Sequence, residues 1–495
     1  MLQGFEWHVP ADQRHWKRLR MALPNLQDLG ADNIWIPPAC KGMESTGTGY
    51  DVYDLYDVGE FDQKGSRATR WGPKEDLQEL VRSAQDFGIG IIWDTVLNHK
   101  AGADFTEKFS AVKVDSESKY SVFRVQNDLL EDNSLQTDRN IEIEKPEDIT
   151  AWVGFNFPGR GGKYSSMKYH HQHFNGVDWD ESRSQNAIYK VADPQKNWSP
   201  DVSDEHGNYD YLMFANLDQD HPEVRADLFR WAEWIGSEFS LSGMRIDAAK
   251  HYSVSFQRDL VNHLRKTVGA NYLFVSEYWR GEVGYLLEYL KILQGSVSLF
   301  DVPLLGRISE ISQTEGGDLR KIFKGTLVEQ SPDHAVTNVV PFFKPIAYAL
   351  ILLRSQGHPC VFYGDLYGLQ DSQSSSKAPP CQRILPVLMR ARKLYAYGEQ
   401  RDYFNKKNCI GFVRYGNMSY PFGLACVISN SSTSYKRMYV GKTHKGEEWT
   451  DILNQCVGIV IIDNRGCGVF PVAAKSVSVW VNDRAWGRKN LARPL

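Results

Sequence analysis

Eight short apolar runs, each followed by a loop and an amphipathic stretch, constrain this chain more than any other feature. They fall at 2–7, 33–38, 89–96, 243–248, 272–279, 297–303, 335–340 and 359–365. Helical patterns separate them. In 73–88, PKEDLQELVRSAQDFG, apolar residues recur at helical spacing, and Gly88 stands where a helix C-terminus favours glycine. This alternation predicts an α/β fold, a closed (β/α)8 TIM barrel with its working face at the strand C-termini. A doubly wound open sheet is the alternative. It is disfavoured because no glycine-rich phosphate loop follows the first run.

Two stretches break the pattern. The segment 101–209 is rich in Asp, Ser, Asn, Gly and aromatics, with little helical periodicity. A loop of that length is a subdomain or is functional, and it follows the third strand, on the working face. After residue 398 the runs become short, alternating and punctuated by Gly and Asn, as in CIGFVRY, LACVISN and SVSVWVN. They predict a C-terminal antiparallel β-sandwich domain. The expected domains are therefore the barrel in two parts, 1–100 and 210–397, an inserted B domain at 101–209, and a β domain at 398–495.

Composition narrows the function. A net charge of -4 argues against a nucleic-acid or membrane-surface role, and no apolar run reaches the length of a membrane span. The opening residues, MLQGFEWHVPADQ, do not read as a signal peptide. The seven scattered cysteines contain no CxxC and read as free thiols in a reducing compartment. A cytoplasmic monomer is expected.

The chemistry begins in GMRIDAAKH, 243–251. In a strand Arg245 and Asp247 are i and i+2 and share a face. Turned into a barrel they are costly unless paired. Glu277 ends the next strand at the same barrel face. Arg245 should keep Asp247 ionised, while Tyr278 and Trp279 should desolvate Glu277 and raise its pKa. One ionised and one protonated carboxylate is the pairing a retaining glycosidase uses. The third strand contributes Asp94, Asn98 and His99 in DTVLNHK. Tyr50, Tyr53 and Tyr56 follow the second strand; the latter two read as packing residues.

Taken in order, GYDVYDLYDVGEFDQKG, DTVLNHK, FPGRGGKYS, NYDYLMFANLDQDHP, GMRIDAAKH, EYW, FDVPL, FKPIAYALIL and VFYGDLYG resemble the α-amylases of glycoside hydrolase family thirteen. The similarity is greatest to the liquefying bacterial and fungal intracellular branch and covers nearly the whole chain. It implies retaining endo-hydrolysis of α-1,4-glucosidic bonds in starch- or glycogen-like glucans. It further implies Asp247 as nucleophile, Glu277 as acid/base and Arg245 as the group that orients the nucleophile. Tyr50 would stack on the cleaved sugar, His99 would bind its hydroxyls, and Lys250 and His251 would line the aglycone side. A structural calcium would be held by Asn98, Asp210, Asn216 and the His251 carbonyl.

Two departures from the family stand out. Asn175, Ser199 and Asn216 replace carboxylates of the bacterial branch, which predicts loss of its extra metal cluster and a weakened calcium site, with Asp218 and Asp220 remaining nearby. The second lies in DHAVTNVVPFFKPIAYALILL, 333–353. The family carries an Asn-His-Asp motif after its seventh strand, and this chain lacks that loop, a gap of about a dozen residues. The flanks each fit the family on their own side, as a clean excision would leave them. Asp333 and His334 precede the strand and should lie at the opposite barrel end, whereas Asp301 and Asp365 face the right way to compensate. The resulting expectation is an amylase fold with weak hydrolysis. A glucanotransferase and a catalytically silent α-glucan-binding protein are the alternatives.

Overall fold

The computed structural model describes residues 1–114, 145–314, 316–339, 344–369, 381 and 383–494. The barrel strands are β1 (Leu2–Gln3), β2 (Asn33–Trp35), β3 (Gly90–Thr95), β4 (Gly243–Ile246), β5 (Leu273–Ser276), β6 (Ser298–Phe300), β7 (Ala335–Thr337) and β8, in two pieces, His358–Pro359 and Val361–Phe362. Neighbours pair in parallel throughout. The sheet closes because the two pieces of β8 pair with different strands, Val336 with His358 and Leu2 with Val361. All eight expected strands are present, each shorter than its apolar run.

Among the described residues, the longer helices cover the outside: α1 (His15–Leu29), α2 (Lys74–Asp86), α3 (Pro222–Glu238), α4 (Val254–Thr267), α5 (Val283–Ile292), α6 (Val302–Gln313), α7 (Lys344–Leu353) and α8 (Ile384–Tyr395). Local chemistry sets their ends. The Ser253 hydroxyl accepts the Phe256 N–H to cap α4, and the Asp301 carboxylate accepts the Leu304 N–H to cap α6. Gly88 takes φ +66 just past α2, as a glycine there should.

The inserted sheet is antiparallel and six-stranded, and runs from His99–Lys100 to Ala215–Leu217. Asn216 pairs with His99, so the insertion is sewn to the chain directly after β3. Antiparallel strands between Gln400–Lys406 and Ser476–Asn482 build the C-terminal domain. All seven cysteines are free. Among the described residues, no helix is long and apolar enough to cross a membrane.

Inside the barrel, Phe5, Trp35, Ile92, Val275, Phe300, Val336 and Cys360 form one apolar layer. Trp35 is its centre, meeting Phe5 edge-on at 5.4 Å and Phe300 at 5.6 Å. That layer is the floor on which the charged residues stand.

Candidate active site

β3, β4 and β5 deliver the charges. Arg245 is in register with Asp94 on β3 and Val275 on β5, so its side chain rises between two neighbours. Its Nη1 donates to Asp94 Oδ1 at 2.7 Å and to Asp247 Oδ1 at 2.5 Å, and its Nη2 lies 2.9 Å from Glu277 Oε2. The guanidinium also packs over the Trp35 ring at 4.8 Å. The expectation that Arg245 and Asp247 share a face holds.

The segments after β4 and β5 stay coupled beyond the sheet. Ala248 adopts φ +49, a left-handed backbone that a non-glycine residue rarely takes, directly after Asp247. Its N–H donates to Glu277 Oε2 at 3.1 Å, and Ala249 N–H donates to the Glu277 carbonyl at 3.1 Å. Asp247 and Glu277 are thereby fixed to one another by backbone as well as by Arg245.

The electrostatics differ from the sequence expectation. Arg245 carries one charge and faces three carboxylates. Burial pushes the Asp247 carboxyl up to about 7; Arg245 opposes the rise, and Glu277 and Asp94 add to it. One arginine divided three ways does not hold a buried aspartate in the ordinary carboxylate range. Glu277 does not sit in an apolar pocket either. Its side chain is 28% exposed against Arg245, and Trp279 is 46% exposed.

Asp94 is the residue whose role sequence reasoning missed. Besides Arg245 it accepts from the Tyr50 hydroxyl at 2.7 Å and from Trp35 Nε1 at 2.9 Å. Tyr50 is thus anchored by its phenol, leaving its ring to line the cleft. Its loop turns at Gly49, φ +91, where a Cβ would lie 2.3 Å from the Pro38 carbonyl. Buried His99 places Nε2 2.7 Å from the Tyr50 carbonyl, and burial lowers its pKa to about 4, so it is neutral and braces that loop. Lys250 pairs with Glu205 and reaches the Trp279 carbonyl at 3.2 Å. Tyr53 and Tyr56 are buried, as expected, bonded to Asp104 and Asp227.

A cleft of about 980 Å³ opens above these groups, lined in part by Trp7, Tyr50, His99, Asp247, Glu277 and Trp279. Trp7, 57% exposed and 5.3 Å from the Tyr50 ring, was not singled out from sequence; its signal was its place at the end of the first apolar run.

The seventh-strand connection is as short as the sequence implies. β7 ends at Thr337 and α7 begins at Lys344, and residues 340–343 lie outside the described residues. Neither expected substitute is available. Asp301 is consumed by the N–H groups of Leu304, Leu327 and Val328, and Asp365 by Lys344 and the Tyr348 hydroxyl. His334 contacts the Gly295 carbonyl, before β6 begins, at the barrel end away from the cleft.

Three of the four expected metal ligands, Asn98, Asp210 and Asn216, converge. Asn98 Nδ2 donates to Asn216 Oδ1 at 3.1 Å, and Asn216 Nδ2 donates to Asp210 Oδ1 at 2.9 Å and to Asn175 Oδ1 at 2.7 Å. Asn175 Nδ2 and the Ser199 N–H donate to Asp210 Oδ2 at 2.9 and 2.6 Å. His251 Nδ1 lies 3.0 Å from the carbonyl of Tyr209, which precedes Asp210. Asn98 Oδ1 is buried with no hydrogen-bond partner, and burial pushes the Asp210 carboxyl up to about 7. A buried orphan oxygen beside a buried carboxylate fits a bound cation. A second cluster, His173, His221 and Glu223, fits one less well. Both imidazole Nδ1 atoms accept backbone N–H groups, of His170 and Glu223, which leaves Nε2 protonated and donating.

Comparison with known proteins agrees with this geometry. Residues 16–280 match the family model described as alpha amylase, catalytic domain, and residues 424–481 the one described as alpha-amylase C-terminal. The chain is 42% identical to an alpha-amylase of Bacillus licheniformis, over 97% of this chain and 93% of that one. It is 42% identical to a glucan 1,4-alpha-maltohexaosidase of Bacillus sp. (strain 707), over 97% and 92%. It is 35% identical to a cytoplasmic alpha-amylase of Escherichia coli (strain K12), over 97% and 98%. Among solved structures, an Anoxybacillus alpha-amylase shares the fold at TM-score 0.61 and 17% identity, over 94% of this chain and 90% of that one.

Proposed function

The chain belongs to the alpha-amylase family of glycoside hydrolases, and from that premise we propose that it cleaves internal α-1,4-glucosidic bonds of starch- or glycogen-like glucans with retention. One observation carries the reading: Asp247 and Glu277 leave adjacent strands and contact the same guanidinium, at 2.5 and 2.9 Å. A shared guanidinium suits the short carboxyl separation of retaining enzymes, about 5 Å, rather than the wider spacing that admits a water in inverting ones.

Asp247 attacks the anomeric carbon as the bond to the leaving sugar breaks, and the Glu277 proton goes to the departing oxygen. Water then attacks the glycosyl–Asp247 ester, giving its proton to Glu277 and freeing Asp247. Arg245 binds the nucleophile in both states. Tyr50, with Trp7 beside it, offers a ring face to the sugar. His99 braces the backbone that carries that ring, and Lys250 and His251 border the aglycone side.

The rate is expected to be low. The missing loop removes a carboxylate that binds sugar hydroxyls more strongly in the transition state, a class of contact that supplies several kcal/mol, with each ~1.4 kcal/mol a factor of ten. A structural cation, calcium by the resemblance, would be held by Asn98, Asp210, Asn216 and the His251 carbonyl. It would fasten the inserted sheet to β3 and take no part in bond cleavage. The free thiols and the cytoplasmic Escherichia coli relative support a cytoplasmic location, and a monomer acting on maltooligosaccharides, without a nucleic-acid or membrane partner, is proposed with it. The test is product analysis on a long maltooligosaccharide beside a Glu277→Gln variant.

A further inference from the structure

We propose that a side pocket off the cleft, beside the C-terminal ends of β7, β8 and β1, takes a single α-1,6-linked glucosyl branch, so that the chain prefers a branched, glycogen-like glucan to a linear one. The inference rests on the glucan reading above. Gln3, Asn338, Lys344 and Phe362 line both the pocket and the cleft, so one opens into the other. The pocket holds about 250 Å³. That lies below the range, about 300–1,000 Å³, of sites for a drug-sized ligand, so it admits one sugar ring and not a second chain. Cys360 belongs to its floor, in the apolar layer that also contains Trp35 and Phe300.

The polar groups of the pocket suit a sugar. Val336 faces the barrel interior, and period-two alternation puts Asn338 on the same face. Asn338 Oδ1 is buried with no hydrogen-bond partner, an acceptor kept from water and unanswered by the protein. Lys344, at the start of α7, donates to Asp365 and to no other described residue; the second Asp365 oxygen accepts the Tyr348 hydroxyl at 2.7 Å. An ammonium has three N–H groups, so two remain for a ligand. A vicinal diol answers both residues: one hydroxyl donates to Asn338 Oδ1 and its neighbour accepts from Lys344 Nζ. Phe362 adds a ring to the same wall. A glucan lying in the cleft past Asp247 and Glu277 passes the mouth of this pocket. The substituent that leaves a starch- or glycogen-like chain sideways is an α-1,6 branch. A linear chain leaves Asn338 Oδ1 unanswered.

The test is isothermal titration calorimetry on the full chain carrying Glu277→Gln, so that turnover does not consume the ligand. The probes are linear maltoheptaose and a set of maltoheptaoses that each bear one α-1,6-glucosyl unit, on successive sugars. One member of the set should bind about tenfold more tightly than the linear chain, the worth of two added hydrogen bonds. Adding Asn338→Leu, which fills the pocket and removes the acceptor, should bring that ratio to one. Asn338→Ala, which removes the acceptor alone, should reduce it, and thermal melts show whether each variant folds. Branched and linear probes that bind alike to the Glu277→Gln chain, or a ratio that survives both Asn338 variants, would overturn the proposal. Failure to bind any probe would overturn the glucan reading and this proposal with it.

Discussion

Asp94 Oδ1 accepts a hydrogen bond from Arg245 Nη1 at 2.7 Å, across two strands in register, and that contact ties the arginine beside Asp247 to Tyr50 on the cleft wall. Replacing Arg245 by alanine strands Asp94, Asp247 and Glu277 around an empty space. Breaking a buried pair on one side costs about 3–5 kcal/mol. Urea unfolding should show a loss of that order, with activity abolished. Arg245→Lys keeps the charge but not the two-nitrogen fork, so it should recover part of the stability and little of the activity.

Asp247 should make the fold pH-dependent. Its native pKa, about 7, stands above that of an unfolded aspartate. The native state therefore holds a proton that the unfolded state has released, and stability falls as pH rises through the window from about 4 to about 7. Asp247→Asn removes that linkage. Its Tm should fall less than the parent's across the window and exceed it above about pH 7. If Asp247 is the nucleophile, as proposed, kcat/KM of the parent should rise with pH toward about 7 as its carboxyl ionises. Asp94→Asn should move that limb to lower pH, because one of the charges that raise Asp247 is gone.

Tyr50 has a separable ring and hydroxyl. Tyr50→Phe leaves Asp94 without one donor, a cost of about 1–3 kcal/mol for a buried acceptor. It should lower Tm with a small change in KM. Tyr50→Ala removes the ring and should raise KM for maltooligosaccharides several-fold. Steady-state kinetics beside thermal melts separates the two effects.

Asp301 and Asp365 should prove structural. Asp301→Ala removes a helix cap worth about 1–2 kcal/mol and two further N–H bonds, so Tm should drop while kcat holds. Asp365→Asn breaks the pair with Lys344 and should behave the same way. A kcat reduced by orders of magnitude at unchanged Tm, in either variant, would identify that residue as the substitute third carboxylate.

What the sequence disclosed was local. The period-two rule puts Arg245 and Asp247 on one face whatever surrounds them, and strand-then-helix alternation is readable eight times over. What it withheld depends on register and burial. Asp94 becomes the second partner of Arg245 only because β3 and β4 pair in that register. The upward shift of Asp247 follows first from burial and then from Glu277 and Asp94 around the same arginine, an arrangement no single segment contains. Asp301 and Asp365 face the cleft by strand order, yet distant groups, Val328 and Tyr348 among them, had already claimed their oxygens.

The most direct test is to incubate the purified chain with a long maltooligosaccharide, with Glu277→Gln in parallel, and resolve all products by length. The account predicts slow appearance of shorter chains alone from the parent and none from the variant. Longer chains appearing together with shorter ones would make the chain a transferase. Products that persist in the variant, or a parent that binds the glucan and forms none, would contradict hydrolysis by Asp247 and Glu277.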